Sequence, residues 1–501
     1  MNSVINPFET ATGSDKLHLP GYLAILVATI LISGYLIAEK GITIAVALLV
    51  MPFIAIYLIL LFHKPIVGLY SAIALGFVLL GIPRYIKGLS VIGVAMDGIL
   101  ILTYIALIFN RFRARVNWKP ANKDITILAA IWFGYALIQF LNPEAHSKLA
   151  WLAGMRGVAL YMMLVIPLTL ILVDNRKKLN FFLTLWGVFS LLVSLKGIMQ
   201  ITIGVDPWEQ QWLNDGAAGT HVLFGKLRVF SFLSDAGNFG ANQAYSAVVA
   251  TLISFSEKSF RNKLFFILVA ILGFYGMLLS GTRGAISIPL SAFLLYFILK
   301  RNTAVMVAGF ILIIGVFVFF KYSTIGNDNQ QIRRMRSGFD PNDKSLQVRL
   351  ENQKKLKTYL ASRPLGGGIG HGGVKAQRYL PNAFLSNVAT DSWYVMIWAE
   401  QGIVGLTLHL FILFYIIAKS GYLIMYKLSD PELKQKMTAL TAGMFGIMVA
   451  SYGNEVLGTL PTGILIYVSM ALMLNAQQLE KNLIGTTEKP DHLLSLNENA
   501  Q

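Results

Sequence analysis

The sequence has no cysteine among its 501 residues, and Asp, Glu, Lys and Arg together make up only 13% of the chain. The absence of cysteine excludes disulfide bonds and thiol catalysis. About a quarter of the residues in soluble domains are charged, so this composition argues against an ordinary soluble fold. Hydrophobic residues make up 55% of the chain, and the mean hydropathy is +0.61. Together these values indicate a membrane protein.

Apolar runs long enough to cross a membrane recur from residue 21 to residue 475. A helix of about 18 residues or more crosses the ~30 Å hydrocarbon core of a bilayer. We therefore predict an all-α polytopic membrane protein with about 12–14 transmembrane helices. The single transmembrane domain, 21-475, follows a tail at 1-20, which lacks the basic region of a cleavable signal peptide, and precedes a tail at 476-501. The predicted spans are 21–38, 41–62, 66–82, 90–109, 124–141, 154–173, 181–203, 238–255, 263–280, 284–299, 304–320, 391–418, 436–456 and 458–475.

Lys and Arg are concentrated in alternate short loops, a bias that marks the cytoplasmic side. We predict that both termini are cytoplasmic and that the protein lies in a bacterial inner membrane. Two long loops, 204–237 and 321–390, then lie outside. The net charge of +17 is divided between cytoplasmic anchors, which face anionic membrane lipids, and the second outer loop. The basic residues are not clustered on a soluble module, so no nucleic acid partner is predicted.

The outer loop 321–390 is the most polar part of the chain and contains 12 Lys and Arg residues. Asp343 or Ser345 is a candidate N-cap for an amphipathic basic helix at the membrane surface. The loop also contains His371 and a glycine cluster. These glycines have two interpretations: a backbone cradle for an anion, or a turn that returns the chain to the membrane. The cluster consists of Gly366, Gly367, Gly368, Gly370, Gly372 and Gly373.

Several ionisable or polar residues fall within the outer halves of the predicted spans, where a charge costs a few kcal/mol unless it faces protein or water. Their convergence predicts an outward-facing polar site. The alternatives are ion pairs or helix-end side chains that reach the interface, and for Asp391 a simple helix N-cap. These residues are Arg156, Lys196, Arg283, Asp391, Glu400, Asn454 and Glu455.

The residue types at this site suit one kind of chemistry. Arginine forks match the oxygens of a diphosphate, and a carboxylate or imidazole can take a proton from an attacking hydroxyl. No His, Cys and Asp grouping has the spacing of a zinc site, so arginines would stabilise the leaving group in place of a metal. The pattern indicates group transfer from a phosphate-activated, membrane-embedded donor. No cofactor is predicted.

Three stretches resemble the O-antigen ligase and polymerase family of bacterial envelope enzymes. They are SGTRGA around Arg283, RLENQKKL from Arg349 with RPLGGGIG from Arg363, and DSWYVMIWAEQGIVG from Asp391. The resemblance covers about residues 150–475. It implies an inverting, metal-independent, GT-C-like glycosyltransferase that acts at the periplasmic face. The donor would be an undecaprenyl-diphosphate-linked glycan, and the acceptor a glycan or lipid.

The resemblance also implies roles for individual residues. Arg283 and Arg349 would bind the carrier diphosphate. In the ligases, an arginine is followed four residues later by a leucine. Arg156 and Leu160 have this spacing, whereas Arg283 has Ser287 four residues later. Asp391, Glu400 and His371 are the catalytic candidates.

Asp391 is the main departure from the ligase pattern, because ligases have histidine eleven residues before the glycine that is Gly402 here. The departure favours a polymerase of O-antigen or exopolysaccharide repeat units. The alternatives are an O-antigen ligase and a protein O-oligosaccharyltransferase. A flippase or secondary transporter fits less well, since no internal repeat is visible. Membrane lipids, a chain-length regulator and a flippase are the expected partners.

Overall fold

The computed structural model describes residues 24, 27–35, 38–39, 41–86, 93–114, 116–223, 225–328, 330–340 and 343–487. The chain divides into two compact units, with the boundary between Pro65 and Ile66. In the first unit, Ile42–His63 is a helix. Of the predicted span 21–38, the structure describes residues 24, 27–35 and 38, and all of these are helical.

In the described part of the second unit, the regular structure consists of helices and one short hairpin. Each predicted span from 66–82 onward coincides with a helix, which confirms the all-α fold. The hairpin pairs β1, Val222–Leu223, with β2, Lys226–Leu227. The helices are α1 Ile42–His63 in the first unit, then α2 Ile66–Val78, α3 Gly93–Ala114, α4 Asp124–Ile138, α5 Lys148–Met155, α6 Tyr161–Leu172, α7 Arg176–Thr202, α8 Pro207–Trp212, α9 Ala218–His221, α10 Ala236–Ser254, α11 Phe260–Leu279, α12 Ser287–Lys300, α13 Thr303–Tyr322, α14 Gln330–Ser337, α15 Lys344–Leu360, α16 Trp393–Tyr426, α17 Pro431–Ala450, α18 Thr462–Leu474 and α19 Ala476–Thr487.

Within the described residues, 7 helices are long and apolar enough to cross a membrane, or 8 if the bent pair α18 and α19 forms one span. The predicted spans 238–255 and 436–456 form α10 and α17, which are not among them. Both helices are buried along most of their length and carry polar side chains such as Asn242 and Thr441. A helix enclosed by other helices satisfies these groups internally, so it does not need the apolar surface of a lipid-facing span.

Helices α10, α17 and α18 form the centre of the second unit. All 13 residues of α18 are buried. The helices around them alternate between buried and exposed apolar residues, as expected for helices that contact lipid on one side. We call the ends of the helices that meet loops 204–237 and 321–390 the loop face.

The long loop contains the helix that the sequence predicts. It is α15, Lys344–Leu360, and the Asp343 side chain caps it by accepting a hydrogen bond from the Leu346 amide at 3.2 Å. A second, shorter helix, α14, precedes it and carries three arginines in the sequence QQIRRMRS.

Candidate functional site

The glycine cluster is inserted into a break in α16. The helix is interrupted at Gly402, whose φ of 67° and ψ of −168° are not helical. The Gly367 amide donates to the Ala399 carbonyl at 2.9 Å, and the Gly368 amide donates to the Glu400 carbonyl at 2.8 Å. These bonds replace the helical ones that the break removes. These two amides therefore anchor the loop to the helix and are not free to bind an anion.

Gly402 is required because the two backbones approach so closely. A Cβ on Gly402 would overlap the Pro364 carbonyl, and φ at this position is positive. We expect Gly402→Ala to abolish the folded protein or lower its melting temperature by several degrees, which thermal unfolding in detergent would measure. The matched control is Gly134→Ala in α4, where a Cβ meets no atom within 4 Å. Equal stability of the two variants would contradict the insertion.

Glu400 lies in α16 beside the break and is 3% exposed. Its Oε1 atom accepts a hydrogen bond from the Gly372 amide at 3.1 Å. The Glu400 side chain therefore binds Gly372, near the end of the glycine cluster. The Glu400 backbone carbonyl binds Gly368, nearer the start of the cluster. This geometry gives Glu400 a direct role in holding the loop.

His371 is buried among backbone groups. Its Nε2 atom accepts from the Ser147 amide at 3.1 Å, which places the proton on Nδ1, and Nδ1 donates to the Ile369 carbonyl at 2.9 Å. Burial lowers the pKa of His371 below its ordinary value. Both ring nitrogens are engaged in this neutral form, so the imidazole joins the loop to the segment before α5.

This arrangement predicts a dependence of stability on pH. A lowered folded pKa means that the stability is present above the ordinary value of about 6.5 and is lost as the pH falls through the folded pKa. We expect the melting temperature of His371→Gln to fall less than that of the wild type on acidification, because an amide oxygen accepts from Ser147 without titrating. The exposed His63 supplies the control, His63→Gln, which should behave as wild type. Identical pH profiles for all three proteins would exclude His371 as the titrating group.

Arg283 lies in the tight turn between α11 and α12 at the loop face. Its Nη1 atom donates to the Ser337 hydroxyl at 3.2 Å and forms an ion pair with Asp343, the N-cap of α15. The turn is thus joined to both helices of loop 321–390. The Arg283 side chain is 24% exposed, so it remains accessible from the loop.

Two further arginines surround this turn, and sequence reasoning did not single them out. Arg228 donates to the Ser280 carbonyl at 3.3 Å and to the Thr282 hydroxyl at 3.2 Å. Burial lowers the pKa of Arg334 to about 10, and the positive charges of Arg228 and Arg283 contribute to the shift. We call Arg228, Arg283 and Arg334 the arginine cluster. Arg283 pairs with Asp343, and the charge of Asp235 acts on Arg228. Against these two carboxylates, the three guanidiniums leave an excess of positive charge among the residues described around this turn.

Arg84 is another residue that the sequence did not reveal. Its guanidinium lies between the rings of Trp212 and Phe230, at 4.4 and 4.5 Å from their centroids. It donates to the carbonyls of Ser231 and Ser234, at 2.7 and 3.0 Å. Burial lowers its pKa to about 10. Arg84 therefore holds the loop that carries Arg228.

Asp391 stands at the entrance to α16 but does not cap it. Ser392 is the N-cap, and its hydroxyl accepts from the Val395 amide at 3.4 Å. Asp391 has a left-handed φ of 49°, and its side chain is 48% exposed. Its Oδ2 atom lies 3.9 Å from Nε of Arg349 on α15. Because Ser392 caps the helix, the Asp391 carboxylate is not used for capping and remains accessible beside the Arg349 guanidinium.

The segment between α17 and α18, residues 451–461, joins these parts. Its Asn454 packs directly against Gly284, next to Arg283, and its Gly453 lies beside the Arg349 guanidinium. The Trp393 amide donates to the Ser451 carbonyl at 3.0 Å, which fixes the start of α16. Arg283, Arg349 and Asp391 therefore lie around one segment although they are distant in sequence.

Glu455, in the same segment, links the loop to the bundle. Its carboxylate accepts from the Thr390 hydroxyl and pairs with Nζ of Lys375 at 3.0 Å. The Lys375 side chain is 80% exposed. Nearby, Asp235 caps α10; burial opposes its ionisation, but hydrogen bonds from Ser234 and Asn238 and the charge of Lys375 lower its pKa overall. The loop face thus presents both charge signs to a ligand.

Arg156 forms its ion pair outside the arginine cluster. It begins a π-helical turn between α5 and α6, and its Nε atom lies 2.9 Å from Oδ2 of Asp97 on α3. The neighbouring Gly157 packs closely against the Gly458 carbonyl, so the turn touches the segment 451–461. Lys196 likewise pairs with Asp206 at 2.9 Å.

These features define an all-α polytopic membrane protein with an arginine-rich polar site at the loop face. A family model described as O-antigen ligase matches residues 268–410. The match contains most of the candidate residues, from Arg283 to Glu400. None of the curated proteins matches the chain.

The match supports the resemblance seen in the motifs: residues 268–410 are similar to the O-antigen ligase domain, and they include the three stretches that carry the resemblance. The match supports membrane glycosyl transfer of the ligase or polymerase type. In general terms, the family implies a polyprenyl-linked glycan donor and a glycan or lipid acceptor.

Proposed function

We propose that the protein polymerises O-antigen or exopolysaccharide repeat units, using an undecaprenyl-diphosphate-linked oligosaccharide as donor. The observation that carries this proposal is the Asp391 carboxylate, accessible and beside Arg349, at the position where ligases have histidine. The distribution of Lys and Arg among the short loops supports a periplasmic loop face in an inner membrane.

The arginine cluster is the proposed site for the donor diphosphate. Guanidinium groups stay charged and match phosphate oxygens in pairs, so three of them around one turn favour a dianionic ligand. Arg349, on α15, would contact the diphosphate from the side of Asp391. We do not extend the site to Arg156, because its guanidinium is paired with Asp97.

The proposed reaction is a displacement at the anomeric carbon of the donor sugar. An acceptor hydroxyl forms the new C–O bond, and the bond between the sugar and the diphosphate breaks on the opposite face. The hydroxyl proton passes to the Asp391 carboxylate, and the arginines stabilise undecaprenyl diphosphate as it leaves. We propose that no metal takes part, so chelator should leave the rate unchanged.

Glu400 and His371 act indirectly in this mechanism. Both hold the glycine cluster in the break of α16, eight or more residues from Asp391 along the chain. Their substitution is expected to disturb the position of the loop, with Asp391 itself unchanged.

The carrier-linked glycans of a deletion strain distinguish polymerase from ligase. We expect single repeat units to accumulate on the carrier, because chain extension is blocked. Accumulation of finished polymer would overturn the proposal in favour of a ligase, the second candidate, which the description of the matching family favours. Restoration by the wild-type gene, and not by Asp391→Asn, would tie the effect to the proposed site.

A further inference from the structure

A basic cavity lies at the end of the bundle opposite the loop face. It has a volume of about 450 Å³ and is formed by the ends of α12, α16 and α17. Lys300 and Arg301 line it from the end of α12, and Lys434 lines it from the first turns of α17. Leu299 and Met425 add apolar walls. The cavity is separate from the arginine cluster, which lies at the other end of α12.

The three cations lack carboxylate partners within the described part of the chain. Arg301 and Lys300 instead lie over the rings of Tyr426 and Tyr296, at 5.0 and 5.5 Å. An aromatic face attracts a cation but does not neutralise it. The charges therefore repel one another within one cavity.

The acidic residues near the cavity form ion pairs with other basic residues. Arg176 is paired with Asp430 at 3.1 Å and with Glu432 at 2.7 Å. Lys436 is paired with Glu432 at 2.7 Å and with Glu257 at 3.0 Å. The positive charges of Lys300, Arg301 and Lys434 would therefore be neutralised by an anion from outside the chain.

The size of the cavity narrows the class of anion. Cavities of about 300–1,000 Å³ hold whole organic ligands, whereas an inorganic phosphate fills only a small part of this volume. A ligand that fills the cavity therefore carries an organic group beside its anionic group.

We propose that this cavity binds a glycerophosphate group, with the phosphate held by Lys300, Arg301 and Lys434. Two sources offer this chemistry: a phosphatidylglycerol headgroup and soluble glycerol 3-phosphate. Leu299 and Met425 match the glycerol ester end of a lipid. The bound group would join the ends of α12 and α16, whose opposite ends begin close to Arg283 and Asp391.

Native mass spectrometry of the full chain in detergent tests the proposal. The probes are phosphatidylglycerol, phosphatidic acid, phosphatidylcholine and glycerol 3-phosphate. The triple variant Lys300→Gln, Arg301→Gln, Lys434→Gln should bind phosphatidylglycerol on the order of 100-fold more weakly than the wild type. The control with the same change of charge is Lys258→Gln, Arg261→Gln, Lys263→Gln, in an exposed part of the chain at the same end of the bundle, which should bind as wild type.

A single variant, Lys434→Gln, provides the measurement if the triple variant does not fold, with an expected loss of about fivefold. Specific binding of either glycerophosphate probe supports the site, and the stronger one identifies the source. Equal losses in the cavity and control variants, or equal binding of phosphatidylcholine, would overturn the proposal.

Discussion

Asp391→Asn is expected to slow glycan chain extension by about 10²- to 10⁴-fold, the usual contribution of a general base. Asparagine has nearly the same shape as aspartate and keeps a hydrogen-bond acceptor near Arg349, but it cannot take the proton. The left-handed φ of 49° makes it the best replacement, because asparagine also adopts this conformation readily. The rate of polymer formation from carrier-linked repeat units, assayed in membranes, measures the effect.

Two comparisons separate proton transfer from other roles of Asp391. Glu351→Gln makes the same chemical change at an exposed position of α15, two residues from Arg349, and should retain wild-type activity. Asp391→Ala removes the hydrogen-bond acceptor as well as the base. Inactivity of the alanine variant together with full activity of the asparagine variant would reduce Asp391 to a hydrogen-bond anchor, and full activity of both would exclude it from the mechanism.

Asp391→His would introduce the residue that ligases have at this position. Histidine tolerates a left-handed backbone better than most residues, so the entrance to α16 need not change. If the position serves as a base, histidine should restore part of the activity that asparagine loses. Ligated glycan as a product of the histidine variant would support position 391 as the residue that distinguishes polymerase from ligase, whereas polymer alone would show that other residues select the acceptor.

The features that the sequence predicts well are those that short stretches of chain determine. Apolar runs specify the helices, and Asp343 specifies the start of α15, because capping depends on neighbours three residues away. The apolar pattern predicted helices at the positions of α10 and α17, but the central position of these polar helices could not be inferred. Their burial depends on contacts with helices far along the chain.

The break in α16 illustrates what sequence patterns miss. The apolar pattern continues on both sides of Gly402, so a continuous helix is the natural prediction. The break is stabilised by the Gly367 and Gly368 amides, which arrive from a loop some thirty residues earlier. Neither a glycine within a span nor a glycine cluster in a loop predicts a helix break by itself. The break becomes evident only when the two are seen in contact.

The arginine cluster was missed for the same physical reason. Arg228 comes from loop 204–237 and Arg334 from α14, while Arg283 lies in a turn between them in sequence. Nothing in the local pattern around Arg228 distinguishes it from an ordinary loop arginine. Its importance follows from the hydrogen bonds to Ser280 and Thr282, which are tertiary contacts.

The arginine cluster leads to the second large expected effect. Arg283→Gln should lower the rate of chain extension by about 10²- to 10³-fold, the cost of removing one donor that stabilises developing charge. Arg283→Lys should fall between glutamine and wild type, since lysine keeps the charge but lacks the planar fork. Arg333→Gln, at an exposed position next to Arg334, is the matched control and should be active.

Arg283 also pairs with Asp343, so loss of activity could arise from an unpaired carboxylate at the start of α15. The double variant Arg283→Gln, Asp343→Asn resolves this, because it replaces the ion pair with two neutral groups that can still hydrogen-bond. A folded but inactive double variant places the guanidinium on the donor. Recovery of activity in the double variant would show that Arg283 serves the structure of the loop, and the diphosphate site would then rest on Arg228, Arg334 and Arg349.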